Sequence, residues 1–241
     1  MVVYQPEKMH RVMLKLSGEI LAGEKGYGFD DEVIDRITDD IIDLRKMGYS
    51  LAVVLGGGNI FRGGSWKNKT LDRVVLDNIG MIATIQNALY LAEILNKKNY
   101  QAEVFSALEA DKVAKTYTPS RARNALQEGR ICFLCGGTGN PYFTTDTAAV
   151  LRAVELELDV VLKGTKVDGL YSDDPKKNPK AEFIRTATFR ECLDKKLAVM
   201  DMTAFSLALE HSIPIKIFNV SARGSIKEAA LRTDIGTFIH A

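Results

Sequence analysis

The sequence predicts an α/β fold, with a mostly parallel central sheet covered by helices on both faces. Three observations predict it. Short, wholly apolar runs recur along the chain, longer stretches of helical period separate most of them, and several of the runs end in glycine turns. Runs that are apolar on both sides suit strands buried between two helix layers, and the strand-helix alternation is the rhythm of parallel crossovers.

The first strand is read over Val12–Leu16 and runs into Lys15-Leu16-Ser17-Gly18. A helix follows from about Asp31 to Met47. Acids lead it, Arg45 and Lys46 close it, Gly48 stops it, and Val33, Ile37, Ile41 and Leu44 share one face. The second strand, Leu51–Leu55, ends in Gly56-Gly57-Gly58-Asn59. Next, Asn78–Leu95 is apolar or small on nearly every side, so it calls for burial all round, either in the protein's own core, which composition favours, or in a subunit interface. Ala102–Phe105 and Ile131–Leu134 are the third and fourth strands, and the latter leads into Gly136-Gly137-Thr138-Gly139-Asn140-Pro141. The run Thr147–Leu158 is helical, Val160–Leu162 and Ile215–Phe218 are further strands, and Asp168–Pro179 reads as an exposed loop. A boundary between halves is placed near Gly129–Ile131.

The 241 residues, 46% hydrophobic and 26% charged, suffice for one large domain or two lobes. A net charge of +1 gives no global basic field, so neither nucleic acid nor an acidic membrane is an expected partner. No apolar stretch approaches the roughly 20 residues that span a bilayer, and Met1–Arg11 lacks a hydrophobic signal region; a cytoplasmic location is expected. Three cysteines, Cys132, Cys135 and Cys192, cannot form a disulfide framework. Cys132 and Cys135 have redox or zinc spacing, but three residues apart on a strand they point to opposite faces and read as buried structural thiols.

Glycine lets backbone N–H groups approach an anion, and a helix starting after the turn adds partial positive charge. Several such turns at one sheet edge point to a site for more than one phosphate group. The familiar labels fail: Glu24 stands where a P-loop needs lysine, and Phe61 where a dinucleotide fingerprint needs its last glycine. Lys15, Arg62 and Lys163 place cations at three strand ends, which solvation alone explains poorly. Thr144-Thr145-Asp146 precedes a helix, where ordinary capping accounts for one of the three residues and a phosphate at the helix start would use all of them. Asp77, Asp146, Asp174 and Asp201 are candidates for orienting lysines, holding Mg²⁺ through water or contacting ribose. His10, His211 and His240 are isolated from any nucleophile.

The strings Lys15–Gly18, GGGNIFRG at Gly56–Gly63, Gly80–Ala83, GTGNPYFTTDTAA at Gly137–Ala149, Asp159–Gly169 and Val199–Phe205 resemble the bacterial uridylate kinases, within the wider amino-acid-kinase fold. The similarity covers nearly the whole chain. It implies a three-layer sandwich, with an N-terminal lobe (about 1–130) mainly for the phosphate acceptor and a C-terminal lobe (about 131–241) mainly for ATP. The implied activity is MgATP-dependent conversion of UMP to UDP by a cytoplasmic homohexamer. By matching position, the ATP side comprises Lys15, Leu16, Ser17, Gly18, Gly58, Arg62, Thr165, Tyr171 and Asp174. The UMP side comprises Gly57, Asp77, Thr138, Gly139, Asn140, Pro141, Tyr142, Phe143, Thr144 and Thr145. Lys15, Arg62, Lys163 and Mg²⁺ are expected around the transferred phosphoryl group, with Asp146 and Asp201 orienting the cations and metal and the Mg²⁺ carried mainly by the nucleotide. Gly23–Gly28 falls where some members sense GTP, and UTP inhibition follows by the same resemblance. A kinase of the same fold acting on a carboxylate or carbamate, and a nucleotide sensor without turnover, are the competing readings.

Overall fold

A computed structural model describes residues 4–62, 71–173, 178, 180–195, 197 and 199–241. The strands are β1 (Arg11–Leu16), β2 (Ser50–Leu55), β3 (Ala102–Ser106), β4 (Lys115–Thr116), β5 (Ile131–Cys135), β6 (Val160–Thr165), β7 (Leu170–Tyr171), β8 (Phe183–Ile184), β9 (Thr186–Thr188), β10 (Ile215–Asn219) and β11 (Thr237–His240). The helices are α1 (Gly18–Leu21), α2 (Asp31–Lys46), α3 (Arg73–Lys97), α4 (Pro119–Gln127), α5 (Thr145–Glu155), α6 (Phe189–Asp194), α7 (Met202–Glu210) and α8 (Ser225–Leu231).

Among the described residues, nine strands form one sheet in the order β4-β3-β5-β2-β1-β6-β10-β11-β9. Only the β10–β11 pairing is antiparallel in it. All six strands read from the sequence are present, and the antiparallel β11 that follows β10 extends the sheet. β5 lies between β2 and β3, so a boundary near residue 130 does not separate two sheets. Chain order reverses around β1, with β2 on one side and β6 on the other, and such a switch point opens a crevice at the carboxyl ends of the strands.

Strand alternation divides the core into two layers. Val12, Leu14, Leu51, Val53 and Phe133 pack on the side where Ile37 and Ile41 of α2 and Leu91 of α3 lie. Met13, Val54, Cys132 and Val161 pack on the other, with Val150 of α5 and Phe205 of α7. Cys132 and Cys135 fall in different layers, as their spacing requires, and all three thiols are buried and free.

Two expectations are corrected. The stretch Asn78–Leu95 belongs to a longer helix, α3, that the protein's own core covers on one side, where Ala88, Leu91 and Leu95 lie, while Val75, Ile79 and Ile82 are exposed on this chain; burial all round in its own core is overturned, and the alternative of a subunit interface is not. By length and composition alone α3 would suffice to cross a membrane, but its inner face is packed against β3 and β5. The stretch expected to be an exposed loop contains β7, which pairs antiparallel with β8 and buries Leu170.

Candidate active site at the carboxyl edge of the sheet

Parallel pairing of β5, β2, β1 and β6 brings the carboxyl ends of these strands to one edge. The Ser17-Gly18, Gly56–Asn59 and Gly136–Gly139 turns leave the sheet there, so the three glycine turns share one site. Two of the glycines are required by close approach. A Cβ on Gly18 would lie 2.5 Å from both Asn59 Oδ1 and Gly56 O, and one on Gly57 would lie 2.8 Å from Gly80 O of α3.

Lys15 and Lys163 are register partners on β1 and β6. Each lies two residues beyond a residue of the α5-side core, Met13 and Val161, so alternation sends both ammoniums to the face where α5 begins. There Thr144 caps α5, its hydroxyl oxygen accepting the N–H groups of Asp146 and Thr147, which fixes Asp146 in the first turn. Lys15 Nζ stands 2.5 Å from Asp146 Oδ1, and Lys163 Nζ 2.5 Å from Asp146 Oδ2. Lys163 also donates to Val199 O. Burial pushes the Asp146 carboxyl up, but the two ammoniums more than reverse this and hold it below the usual carboxylate range. Burial also lowers the Lys163 ammonium; Asp146 opposes that shift and the like charge of Lys15 adds to it.

Asp201 makes its hydrogen bonds to two hydroxyls and a backbone N–H. It caps α7 by accepting from Ala204 N and receives the hydroxyls of Thr144 and Thr147 at 2.5 Å and 2.9 Å. It therefore staples α7 to the start of α5, and its charge reaches Lys163 through space. Arg62 lies at the exposed rim, donating from Nε to Gly58 O and lying 3.3 Å from Glu19. Leu16 ends β1, and Ser17 precedes Gly18 at the start of α1.

A cleft of about 190 Å³ opens beside this cluster, lined by Gly57, Gly58, Asp77, Asn140, Phe143 and Thr145 among others. Tyr142 takes a left-handed backbone, φ +71°, which is unfavourable for a bulky residue. Asp77 holds it there by accepting the Tyr142 N–H at 2.8 Å, and Arg73, 3.5 Å from Asp77, covers the Tyr142 ring. Thr138, Gly139 and Pro141 belong to the same turn, where Thr138 Oγ1 accepts from Asn140 N. Thr165 ends β6 and donates to Val167 O, while Tyr171 lies in β7 against Phe183. Asp174 lies outside the described residues. A larger cavity, about 620 Å³, lies against β3, β4 and α4 and contains none of the expected site residues.

Reading the sequence missed Thr84 and Asn87, both buried on α3. Their signal was present: two uncharged polar residues three apart, on one side of a helix otherwise apolar there.

The amino acid kinase family model matches residues 10–219. The uridylate kinase of Pseudoalteromonas atlantica is 44% identical over 95% of this chain and 93% of its own length, and that of Haemophilus influenzae strain PittGG 45% over 95% and 97%. The crystal structure of UMP kinase from Bacillus anthracis superposes with a TM-score of 0.93 at 35% identity, covering 96% of each chain. The chain belongs to the amino acid kinase family. Its relatives along nearly their full length place it, within that family, among the uridylate kinases.

Proposed function

We propose that this chain transfers the γ-phosphoryl group of ATP to UMP, giving UDP and ADP, as a step of pyrimidine nucleotide biosynthesis. One observation carries the reading: two buried lysines converge on one carboxylate at the edge where three glycine turns meet. Phosphoryl transfer needs alignment of donor and acceptor and neutralisation of charge on the moving group, with little covalent help from protein. The second pKa of a phosphate monoester is near 6, so the acceptor is mostly dianionic at neutral pH and needs no strong general base. The obstacle is repulsion between polyanions, roughly 4 kcal/mol for unit charges about 4 Å apart at an effective dielectric near 20. Lys15 and Lys163, held by Asp146, supply fixed positive charge against it, and Arg62 stands at the rim beside Gly58.

UMP occupies the cleft of Gly57, Asp77 and Thr138–Thr145, and ATP the side of Lys15–Gly18, Gly58, Arg62, Thr165, Tyr171 and Asp174. The cleft supports the first assignment, because it is walled by α3 and the Gly136–Tyr142 turn. Mg²⁺ would add charge neutralisation on the donor phosphates. The donors present suit a metal carried by the nucleotide, since Asp146 is taken by two lysines and Asp201 by two hydroxyls and a backbone N–H.

The enzyme works as a cytoplasmic homohexamer, with GTP as activator and UTP as inhibitor. The exposed apolar stripe Val75, Ile79 and Ile82 supports self-association, and three free buried thiols suit a reducing compartment. A coupled ADP-release assay tests the activity against a panel of nucleoside monophosphates, aspartate, glutamate and carbamate. ADP release dependent on UMP is expected; release driven by a carboxylate or carbamate, or binding without turnover, refutes it.

A further inference from the structure

α3 carries two buried polar side chains one turn apart, and each holds a different glycine turn of the site. Thr84 donates to Met81 O of its own helix at 2.6 Å, which orients the hydroxyl oxygen to accept the Gly136 N–H at 2.8 Å. The turn after β5 is thereby fastened to α3 at its first residue. Arg152 of α5 holds the next residue, donating to Gly137 O at 3.3 Å.

Asn87 uses both amide hydrogens, donating to Gly56 O and to Asn59 Oδ1 at 2.7 Å each, and its own carbonyl accepts from Asn59 Nδ2 at 3.0 Å. Asn59 Nδ2 in turn donates to Gly28 O at 2.9 Å. The reciprocal amide pair therefore bolts the turn after β2 to α3 and ties the Gly23–Gly28 loop to the same point. Both side chains are almost wholly excluded from solvent, Thr84 at 2% and Asn87 at 0% exposure. A core position in an apolar helix needs no such groups, and an apolar residue there would leave the turns' own polar atoms without partners.

We propose that Thr84 and Asn87 are positioning residues that set the relative placement of the two glycine turns, and through it the alignment of the acceptor phosphate with the donor. This rests on the kinase reading above. Their spacing makes one helical turn the gauge: Thr84 sets the Gly136–Tyr142 turn on the acceptor cleft, and Asn87 sets Gly56–Asn59, whose Gly57 and Gly58 serve the acceptor and the donor. A 1 Å displacement of aligned reactants is enough to cost on the order of 100-fold in rate.

The test is steady-state kinetics, normalised to folded protein, on Thr84→Val, Thr84→Ser, Asn87→Leu and Asn87→Asp. Thr84→Val is expected to raise KM for UMP at least tenfold with KM for ATP within twofold of wild type, and Thr84→Ser, which keeps the hydroxyl, to restore it. Asn87→Leu and Asn87→Asp, which cannot donate to Gly56 O, are expected to lower kcat at least tenfold at saturating substrates. If an Asn87 variant fails to fold, the threonine pair decides. Unchanged kinetic constants in folded Thr84→Val, or equal losses in the valine and serine variants, overturn the inference while leaving the kinase reading intact. Wild-type protein without UMP-dependent ADP release overturns both.

Discussion

Lys15 and Lys163 face each other across adjacent parallel strands, and both ammoniums close on the two oxygens of Asp146. One carboxylate thus holds two like charges that would otherwise repel, in a nearly buried setting where water screens them little. The pair keeps a net positive charge after Asp146 is counted, which is the sign needed against a transferring phosphoryl group.

Replacing Lys15 by Met is expected to lower kcat by roughly 100- to 1000-fold, the scale for one fixed charge-stabilising donor. Asp146 would still be paired with Lys163, so folding should suffer far less. Thermal unfolding and UMP binding close to wild type, beside the loss of turnover, is the expected pattern; undiminished turnover removes Lys15 from the mechanism.

Asp146→Asn keeps the shape and removes the charge, leaving two ammoniums side by side. Breaking a buried ionic group this way costs about 3–5 kcal/mol, visible as a lowered Tm at neutral pH. The sign of the pH dependence follows from the depressed carboxyl. Its stabilisation is present above the ordinary value of 3.8 and is lost as pH falls through the lower folded value. The stability gap between wild type and Asp146→Asn should therefore narrow in acid, and a gap constant from neutral pH down to acid unfolding would contradict the assignment.

Gly57→Ala would place a Cβ 2.8 Å from Gly80 O and 2.9 Å from the Ala83 Cβ, closer than real contacts allow. Neither neighbour is a flexible chain end, so the loop must move away from α3 and carry one wall of the cleft with it. An increase of about tenfold or more in KM for UMP is expected, and an unchanged KM would show that this wall does not hold the acceptor.

The central strands were legible because residues buried on both faces leave continuous apolar runs, and α2 because its caps and single apolar stripe agree. Lys15 and Lys163 were readable as strand-end cations and Asp146 as a residue that orients them, but the closure of both ammoniums on its two oxygens was not. It depends on β1 lying beside β6, a neighbour relation that no local pattern encodes. The favoured reading of α3, burial all round in the protein's own core, failed for a related reason: composition registers Ile79 and Ile82 as apolar without saying which side of the helix the chain itself covers. Thr84 and Asn87 were lost in the same average, although their spacing marked one face. β4, β7, β8 and β9 are two or three residues long, too short to establish a period.

Lys216 offers a test of the fold remote from the site. It lies in β10 with no solvent exposure, its ammonium over the Tyr4 ring at 3.8 Å and donating to Arg232 O, so it joins the N-terminal segment to the end of α8. Burial pushes its pKa down to about 7, against the pull of Asp234. Because the folded value lies below the unfolded 10.5, the unfolded chain binds the extra proton between these limits and stability must rise with pH there. Lys216→Met removes that dependence, since methionine fills the space without titrating. The difference in unfolding free energy between wild type and Lys216→Met should shift in favour of wild type from pH 7 to pH 10, by up to about 1.4 kcal/mol per pH unit for one proton. Denaturant titrations at four pH values across that span measure it, and a flat difference would show that the ring and carbonyl keep Lys216 charged throughout.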